Sequence, residues 1–378
     1  MKRLTVEPLS LPEDLELLHS WPLALRRKQP FKPPRLMRSL RNALDPRVAP
    51  WFSSGEARGW IARINGEPAG SIVAHLTTVD GGEAAEVEGE GRIGLFGYLE
   101  TTDDQAVVSS LISAAREWLG RHGATEIAGP VDVAPMLELG ALTNGFDTPP
   151  FTGTTWSPEF LPPMLKNAGL SASETTLGWS WRLPTHNRVD NHDWNCPRGE
   201  TSVRTSTRGR LKQDVSAILA LAGARCEGEL LGFHPFSMTS PDQLIVSTRY
   251  ETPPRRVWLL ERDDEVIGGA IVQNDLNPVI TSMGGRIFPF GWLSWLFRHR
   301  RAYRARLMAI TISREHEERE LLQSFLRHVA RELSLEGIHD LEISPVPLRD
   351  RLLTGVLRGV GAQESKRWTL FRGKLDDE

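Results

Sequence analysis

The apolar residues of the chain form two long stripes at helical spacing, one in each half of the sequence. Each stripe recurs at intervals of three and four residues, which predicts a helix with one buried face. Each also ends shortly before a glycine, Gly123 or Gly337, a residue that readily forms a left-handed C-cap. The stripes are Val107, Val108, Leu111, Ile112, Ala115 and Leu119 in the first half, and Leu321, Leu322, Phe325, Leu326, Val329 and Leu333 in the second.

Shorter patterns surround these helices in the same order in both halves. A strand, a tight turn and a second strand are predicted over residues 60–74 and again over residues 258–272. A strand is also predicted directly after each long helix, at 125–129 and at 339–344. Because several features match in order as well as in type, we infer that the chain is a tandem duplication.

The duplication predicts two domains. Residues 1–184 form the first and residues 201–378 the second, and the polar segment 185–200 is the linker. Strands alternate with helices in each half, so we expect an α/β fold (α+β, with a mixed sheet) and helices on both faces of the sheet. The two copies carry extra residues at different places, about 130–157 and about 275–302, and long insertions of this kind are often functional.

Composition narrows the setting in which the protein works. Hydrophobic residues make up 40% of the chain and charged residues 25%, and the formal net charge of −3 argues against a binder of bulk polyanions. Two cysteines exclude a disulfide scaffold. The N-terminal region has no signal-peptide pattern, and the densest apolar run, 288–297, is about half of a membrane span. We therefore expect a cytoplasmic protein with no membrane span.

Several short segments of the sequence resemble those of a known family. The order of elements resembles that of the GCN5-related N-acetyltransferase (GNAT) superfamily, and the chain is similar to a bacterial group with two such domains in tandem. The resemblance implies two GNAT-like acyl-CoA N-acyltransferase folds and a transferase activity. The segments that carry the resemblance are Asp45–Pro46, Pro50–Phe52, Gly94–Glu100, Gly129–Pro130, Gly140–Leu142, Gly145–Asp147 with Pro149–Pro150, Asp275–Pro278 and Gly285–Arg286.

The loop before each long helix departs from this family. The resemblance implies a coenzyme A pyrophosphate site with the pattern Arg/Gln-x-x-Gly-x-Gly/Ala, whose glycines expose backbone N–H groups at a helix N-terminus. The second half has Glu317 and Arg319 at the glycine positions, and residues 100–105 of the first half are acidic and contain no glycine. Acidic side chains there repel a pyrophosphate. We expect no tightly bound cofactor, and acyl-CoA stays open as a co-substrate contacted by Ile312, Arg314 and Arg319.

Acyl transfer to an amine or hydroxylamine of a small molecule is the first functional hypothesis. It requires a base for the amine and an acid for the leaving group. Glu342 and Glu100 are the candidate bases, and Tyr98 and Ser344 the candidate proton donors. We expect the site in the second half, between the strand of Glu342 and the 275–286 insertion. The candidate substrate-binding residues are Asp275, Asn277, Arg286 and Trp292.

Two other functions stay open. Aminoacyl transferases that use charged tRNA also contain two such domains and dispense with the coenzyme A loop, and basic clusters such as 298–301 suit phosphate contacts. Alternatively, the fold binds a small molecule without catalysis. No metal site is predicted, because the spacing of His186, His192 and Cys196 fits no common zinc pattern. The oligomeric state stays open.

Overall fold

A computed structural model describes residues 2–27, 29, 31–49, 52, 55–77, 86–87, 91–133, 138–184, 201–225, 241–248, 251–286 and 303–375 of the chain. The described strands form one mixed sheet with helices on both faces, which confirms the predicted α/β class. The predicted linker, 185–200, lies outside the described residues.

The first half contains eight of the described strands. Its strands are β1 (Leu4–Leu9), β2 (Gly55–Ile64), β3 (Glu67–Thr77), β4 (Glu86–Val87), β5 (Gly91–Thr101), β6 (Glu126–Gly129), β7 (Ala141–Asn144) and β8 (Ser171–Arg182). Its helices are α1 (Leu15–Ser20), α2 (Met37–Leu44), α3 (Gln105–Arg121) and α4 (Leu161–Asn167), with a 3₁₀ helix at Trp21–Arg27.

The second half repeats this order. Its strands are β9 (Thr201–Thr205), β10 (Val257–Arg262), β11 (Glu265–Asn274), β12 (Arg304–Ile312), β13 (Asp340–Pro347) and β14 (Gln363–Lys374). Its helices are α5 (Leu211–Arg225), α6 (Pro241–Thr248), α7 (Asn277–Ser282), α8 (Arg319–Leu335) and α9 (Arg351–Gly359), with 3₁₀ helices at Pro254–Arg256 and Arg314–His316.

The repeated sequence patterns form the repeated elements for local reasons. The hairpin turns between β2 and β3 and between β10 and β11 each place two residues at positive φ, as Asn65–Gly66 and Asp263–Asp264, the pairing that two-residue hairpins favour. Helices α3 and α8 bury the two predicted apolar stripes. Both helices are followed by a glycine at positive φ, Gly123 or Gly337.

The last strand of each half lies in the sheet of the other half. The order along the sheet is β1-β2-β3-β5-β6-β14-β8-β13-β12-β11-β10-β9, with β4 on β5 and β7 on β14. Strand β14 therefore pairs with β6 of the first half, and β8 pairs with β13 of the second. Consequently, Trp179 and Trp181 of β8 pack in the core of the second half, and Phe371 of β14 packs in that of the first.

Each half contains one short pairing between parallel strands. The pairing of β5 with β6 extends only to Leu95 and Ala128, and that of β12 with β13 only to Leu307 and Ile343. The regular pairing ends there, although in the first half the chain after β6 stays against β5, because the Val131 N–H donates to the Phe96 carbonyl at 2.7 Å. Among the described residues, no helix has the length and apolar character needed to cross a bilayer.

Candidate active site

A bulge in β5 begins the candidate site. Between the pairs Val73–Gly97 and Ser71–Glu100, β5 contains one residue more than β3. The bulge holds Tyr98 at a φ of 50°, and its backbone N–H donates to Asp132 Oδ1 at 2.8 Å. Gly97 has no room for a side chain, because a Cβ there would lie 2.2 Å from the carbonyl oxygen of Val131. The loop after β6 is therefore held directly against the bulge.

Arg35 organises the acidic side chains around this bulge. Its Nη1 lies 2.7 Å from Asp132 Oδ2, and its Nη2 lies 2.7 Å from Glu138 Oε2. Its Nε is 3.9 Å from Glu100 Oε1, and its guanidinium carbon is 4.9 Å from the centre of the Tyr98 ring. We refer to Arg35, Tyr98, Glu100, Asp132 and Glu138 as the Arg35 cluster.

Lys32 completes the charge balance of this cluster. It forms an ion pair with Glu100, whose side chain is only 5% exposed. Three carboxylates thus face two cations within a single site. The site has a net negative charge when all three carboxyl groups are ionised, and in that state it favours a positively charged ligand.

The surroundings change the proton affinity of two members of the cluster. Burial raises the pKa of Glu138 to about 7, and the negative charges of Asp132 and Glu100 act in the same direction against Arg35 and Lys32. Burial and Asp132 also raise the pKa of the Tyr98 phenol well above its ordinary value. Near neutral pH, Glu138 therefore exchanges a proton readily, whereas Tyr98 retains its own.

A cavity of about 130 Å³ separates the Arg35 cluster from the second half. This space holds several water molecules or a small polar head group. The first half contributes charged and aromatic side chains to its wall, and the second half contributes amides, a carboxylate and apolar groups. The polar side chains on it are Arg35, Ser39, Tyr98, Asp132, Glu138, Thr152, Thr154, Glu251, Gln273 and Asn277.

Thr152 joins the two halves beside this cavity. Its hydroxyl donates to Asp275 Oδ1 at 3.0 Å and accepts the backbone N–H groups of Leu276 and Asn277 at 2.7 and 3.0 Å. Arg304 Nε lies 3.3 Å from the other carboxylate oxygen of Asp275. Burial raises the pKa of Asp275, and Arg304 opposes that rise. These contacts occupy both Thr152 and Asp275, so their role is to fix the position of the cavity wall.

Glu342 and Ser344 belong to a second buried network. Ser344 Oγ donates to Glu342 at 2.8 Å, and Arg306 Nε donates to the hydroxyl and carbonyl oxygens of Ser344 at 3.1 Å. Arg306 also donates to the carbonyl of Gly153, a residue of the cavity wall. Burial lowers the pKa of Arg306 to about 10 and raises that of Glu342. The network supports the loop that carries Gly153, and Glu342 is not among the residues that line the cavity.

The predicted cofactor-binding residues lie at the start of α8, separated from the cavity by the length of β12. Ile312 is buried in the core, whereas Arg314 is exposed and Arg319 donates to the carbonyl of Gly355. The side chain of Glu318, the N-cap residue of α8, makes no capping hydrogen bond within the part of the chain that the structure describes. In the first half, by contrast, Asp104 caps α3 by accepting the N–H of Ala106 at 3.0 Å. A carboxylate therefore occupies the first-half position at which a pyrophosphate would bind.

The remaining predicted residues divide into two groups. Asp275 and Asn277 lie at the junction of the halves, and Asn277 lines the cavity. Arg286 forms an exposed ion pair with Glu16. Trp292 lies outside the described residues. Within the part of the chain that the structure describes, no group of His, Cys, Asp or Glu side chains is arranged to hold a metal ion.

The two copies differ in the side chains near the carboxyl ends of their parallel strands. The pairs Gly70–Thr101 and Ser71–Glu100 correspond to Gly268–Ile312 and Gly269–Thr311. By this register, Glu100 corresponds to Thr311, which does not titrate, and Gly97 corresponds to Ala309, so Tyr98 lies in a bulge that β12 has at a different position. The first half thus has a carboxylate where the second half has a threonine, and the expected site in the second half stays a prediction.

Sequence reasoning did not identify Arg35, Asp132 or Glu138. Asp132 and Glu138 lie in the predicted first-half insertion, shortly after the Gly129–Pro130 segment. This position in the insertion was the sequence feature that could have identified them. Arg35, together with Arg38 and Arg41, forms another basic group in the sequence, and such groups indicated phosphate contacts and not a cluster with carboxylates. Only the fold brings these side chains to one cavity.

Comparisons with known proteins agree with this architecture. No protein-family model matches the chain. It is 25% identical to the "Bacterial ceramide synthase" of Caulobacter vibrioides over 382 residues, which cover 98% of each chain. It is also 25% identical to "Protein YghO" of Escherichia coli K12, covering 84% of this chain and 82% of that protein.

Two solved structures are similar over nearly the whole chain. One is a tandem GNAT protein from the clavulanic acid biosynthesis pathway, with a TM-score of 0.58, 15% identity and complete coverage of both chains. The other is a GCN5-related N-acetyltransferase from Sphaerobacter thermophilus, with a TM-score of 0.55, 11% identity and coverage of 99% and 96%.

Proposed function

We propose that this chain, which has the tandem fold of the GCN5-related N-acetyltransferases, is an N-acyltransferase whose chemistry takes place at the Arg35 cluster. The observation that carries the proposal is Glu138, a carboxylate beside a cavity between the halves, with a pKa of about 7. A general base is most effective when its pKa lies near the working pH. The fold and the full-length relative named a ceramide synthase support acyl transfer.

The reaction that suits this site is amide formation from an acyl thioester. The amine nitrogen attacks the thioester carbonyl, a C–N bond forms and the C–S bond breaks. The proton lost by the amine goes to Glu138, and the departing thiolate takes up a proton from Tyr98, which Glu138 then restores. Tyr98 lines the cavity and is protonated at neutral pH, so its phenol has a proton to donate.

Other residues of the cluster position the reacting groups. Arg35 holds Glu138 and Asp132 in place by two ion pairs of 2.7 Å. Glu100, Glu342 and Ser344 contact neighbouring cations and backbone and do not line the cavity. We therefore assign them positioning roles, with Glu138 in place of Glu342 or Glu100 as the base.

The relative suggests the class of substrates. A ceramide is the amide of a fatty acid and a long-chain amino alcohol, so a ceramide synthase acylates a lipid amine. We propose a long-chain primary amine as the acceptor and a fatty acyl thioester as the donor. Asp104 opposes the usual pyrophosphate contact at α3. The donor's phosphates, if it is acyl-CoA, therefore bind elsewhere than in the first-half loop.

The direct test is acyl transfer by the purified full-length chain. Fatty acyl-CoA and a long-chain primary amine are incubated with the protein, thiol release is followed with a thiol reagent, and the amide is identified by mass spectrometry. Amide formation that matches thiol release supports the proposal. Thiol release without amide would indicate a hydrolase instead.

Asp104 is also the observation that favours a second candidate, transfer from an aminoacyl-tRNA. The same amine is therefore offered with charged tRNA in a parallel reaction. Product formed from charged tRNA alone would replace the thioester mechanism by the tRNA-dependent one. Binding of the amine with no transfer from either donor would indicate a non-catalytic binding protein.

A further inference from the structure

The main chain at Arg35 lies outside regular secondary structure. Residues 32–35 form neither helix nor strand, so the regular hydrogen bonds of those elements do not fix the position of Arg35. Its guanidinium nevertheless lies 2.7 Å from both Asp132 and Glu138. The contacts that fix this backbone therefore come from parts of the chain that are distant in sequence.

Gly285, in the second half, lies directly against the backbone of Arg35. It follows α7, where its N–H donates to the carbonyl of Ile280 at 3.0 Å and its φ is +78°, a conformation that favours glycine. Its own carbonyl accepts the N–H of Met37 at 3.1 Å. A Cβ on Gly285 would overlap the carbonyl oxygen of Arg35. A larger residue at this position therefore forces the end of α7 and the backbone of Arg35 apart.

His19, on α1, contacts the same carbonyl oxygen from the first half. It is 3% exposed, and its Nε2 donates to the Arg35 carbonyl at 3.1 Å. Because a carbonyl has no proton to donate, this ring nitrogen carries the hydrogen. A Cβ on Gly285 would also lie 2.8 Å from His19 Nε2. The Arg35 carbonyl thus lies between a histidine of its own half and a glycine of the other half.

The position of Gly285 is fixed in turn by the junction of the halves. Two backbone N–H groups at the start of α7 donate to the Thr152 hydroxyl. Leu36, the residue after Arg35, packs with Leu276 and Ile280 in a buried apolar cluster. A continuous set of contacts therefore runs from the junction, along α7, to the backbone that carries the Arg35 cluster.

We infer that Gly285 and His19 are positioning residues, which fix the backbone of Arg35 from the two halves of the chain. The guanidinium of Arg35 thereby lies where it pairs with Glu138 and Asp132. The second half thus controls the charge around the carboxylates of the first half. This effect on Glu138 does not depend on acyl transfer, whereas its consequence for the reaction rate rests on the proposed function.

Displacement of Arg35 should be visible in the titration of Glu138. Burial raises the pKa of this carboxyl to about 7, and Arg35 is the cation that opposes the rise most strongly. An opposite charge at such short range changes a pKa by about one to three pH units. The charged side chains that face Glu138 are Arg35, Lys32, Asp132, Glu100 and Arg306. Movement of the guanidinium away from Glu138 should therefore raise the pKa further.

The test measures the Glu138 carboxyl directly and without substrate. The full-length chain is labelled with ¹³C at the glutamate side-chain carboxyl, the NMR signal of Glu138 is identified by its loss in Glu138→Gln, and the signal is followed with pH. We expect Gly285→Ala to raise the pKa of Glu138 by about one pH unit or more.

Gly284→Ala is the matched control for backbone strain. Gly284 also has a positive φ, of +60°, so alanine is strained there as well, but a Cβ at this position has no atom within 4 Å. Gly284→Ala should therefore keep the wild-type titration of Glu138. A change as large as that in Gly285→Ala would contradict the inference, because it would trace the effect to strain at the end of α7.

Two substitutions of His19 test the same carbonyl from the other side. Burial lowers the pKa of His19, so the ring is neutral at neutral pH and its replacement removes no charge. His19→Phe keeps a ring but removes the donor, and it should raise the pKa of Glu138. His19→Gln keeps a side-chain N–H and should restore most of the wild-type titration. This pair decides the matter by itself where Gly285→Ala does not fold.

An unchanged pKa of Glu138 in folded Gly285→Ala and His19→Phe proteins would overturn the inference. The rate separates it from the proposed function: the acidic limb of kcat/KM should move together with the pKa of Glu138 in each variant. A shifted titration in a protein that transfers no acyl group would support the positioning role and contradict the proposed function alone.

Discussion

Replacing Glu138 by glutamine removes the proton-accepting group but keeps the size and polarity of the side chain. Loss of a general base typically lowers the rate by about 10²–10⁴-fold. Glu100 and Asp132 are held by Lys32, Arg35 and the Tyr98 amide, and Glu251 lies on the wall of the cavity that the second half contributes. We expect kcat/KM for amide formation to fall at least about 100-fold in Glu138→Gln.

The pH dependence provides a sharper measure of the same change. With a pKa of about 7, Glu138 is about one-tenth deprotonated one pH unit below that value. The wild-type kcat/KM should therefore rise about tenfold per pH unit up to neutrality and then level off. Glu138→Gln should lose this acidic limb and show the residual rate alone.

The free energy of unfolding should change with pH in the opposite direction to kcat/KM. Folding raises the pKa of Glu138 from 4.5 to about 7, so the folded state binds the proton more tightly than the unfolded state. The contribution to the free energy of unfolding is fully present below pH 4.5 and is lost as the pH rises through 7, by up to about 3 kcal/mol. Urea unfolding of Glu138→Gln should therefore vary less between pH 5 and pH 8 than that of the wild-type protein.

The control is Glu117→Gln, a carboxylate on the exposed surface of α3 whose side chain is 63% exposed. It should leave the rate, the acidic limb and the stability profile unchanged. A Glu138→Gln protein that is folded, keeps more than a third of the wild-type kcat/KM and retains the same acidic limb would refute the assignment of Glu138 as the base.

Three further substitutions test the surrounding structure. Glu342→Gln should destabilise the protein by about 1–3 kcal/mol in urea unfolding, because it weakens the support of buried Arg306. It should change kcat/KM less than about threefold. Loss of the acidic limb of the pH profile would instead make Glu342 the base. Thr152→Val removes the hydroxyl that donates to buried Asp275 and should lower the free energy of unfolding by about 1–3 kcal/mol. The control Thr5→Val, on strand β1, should lower it by less than about 0.5 kcal/mol. Equal effects of the two substitutions would contradict the role of Thr152 in joining the halves. Gly97→Ala places a Cβ 2.2 Å from the carbonyl oxygen of Val131, so it should lower Tm by several degrees and reduce activity. An unaltered Tm would show that the bulge of β5 adjusts to the added methyl group.

The repeated elements were predictable because the patterns that specify them are local. The stripe beginning at Val107 and the stripe beginning at Leu321 fix two helices through spacing alone, and Asn65–Gly66 fixes a hairpin through the positive φ of its turn. The exchange of β8 and β14 was not predictable in this way. Both strands have the same pattern whichever sheet they join, so their pairing depends on contacts between distant parts of the chain.

The candidate site divides along the same line. Tyr98 and Glu100 were predicted as site residues from the strand segment Gly94–Glu100. The structure places Tyr98 on the cavity wall. The prediction of Glu342 as a base followed from its position on a strand, but the structure places it in a buried network with Ser344 and Arg306. Strand position alone does not reveal which carboxylate faces a cavity.

The chain's own order of residues determined the duplicated α/β scaffold, since periodicity, turn chemistry and caps act over a few neighbouring positions. Tertiary structure decided where acid–base chemistry is available. It brought Arg35, Asp132 and Glu138 together beside Tyr98 at the cavity between the halves. The physical reason is that proton affinity and ligand access depend on burial and on charges a few ångströms away, which distant segments supply only after the chain has folded.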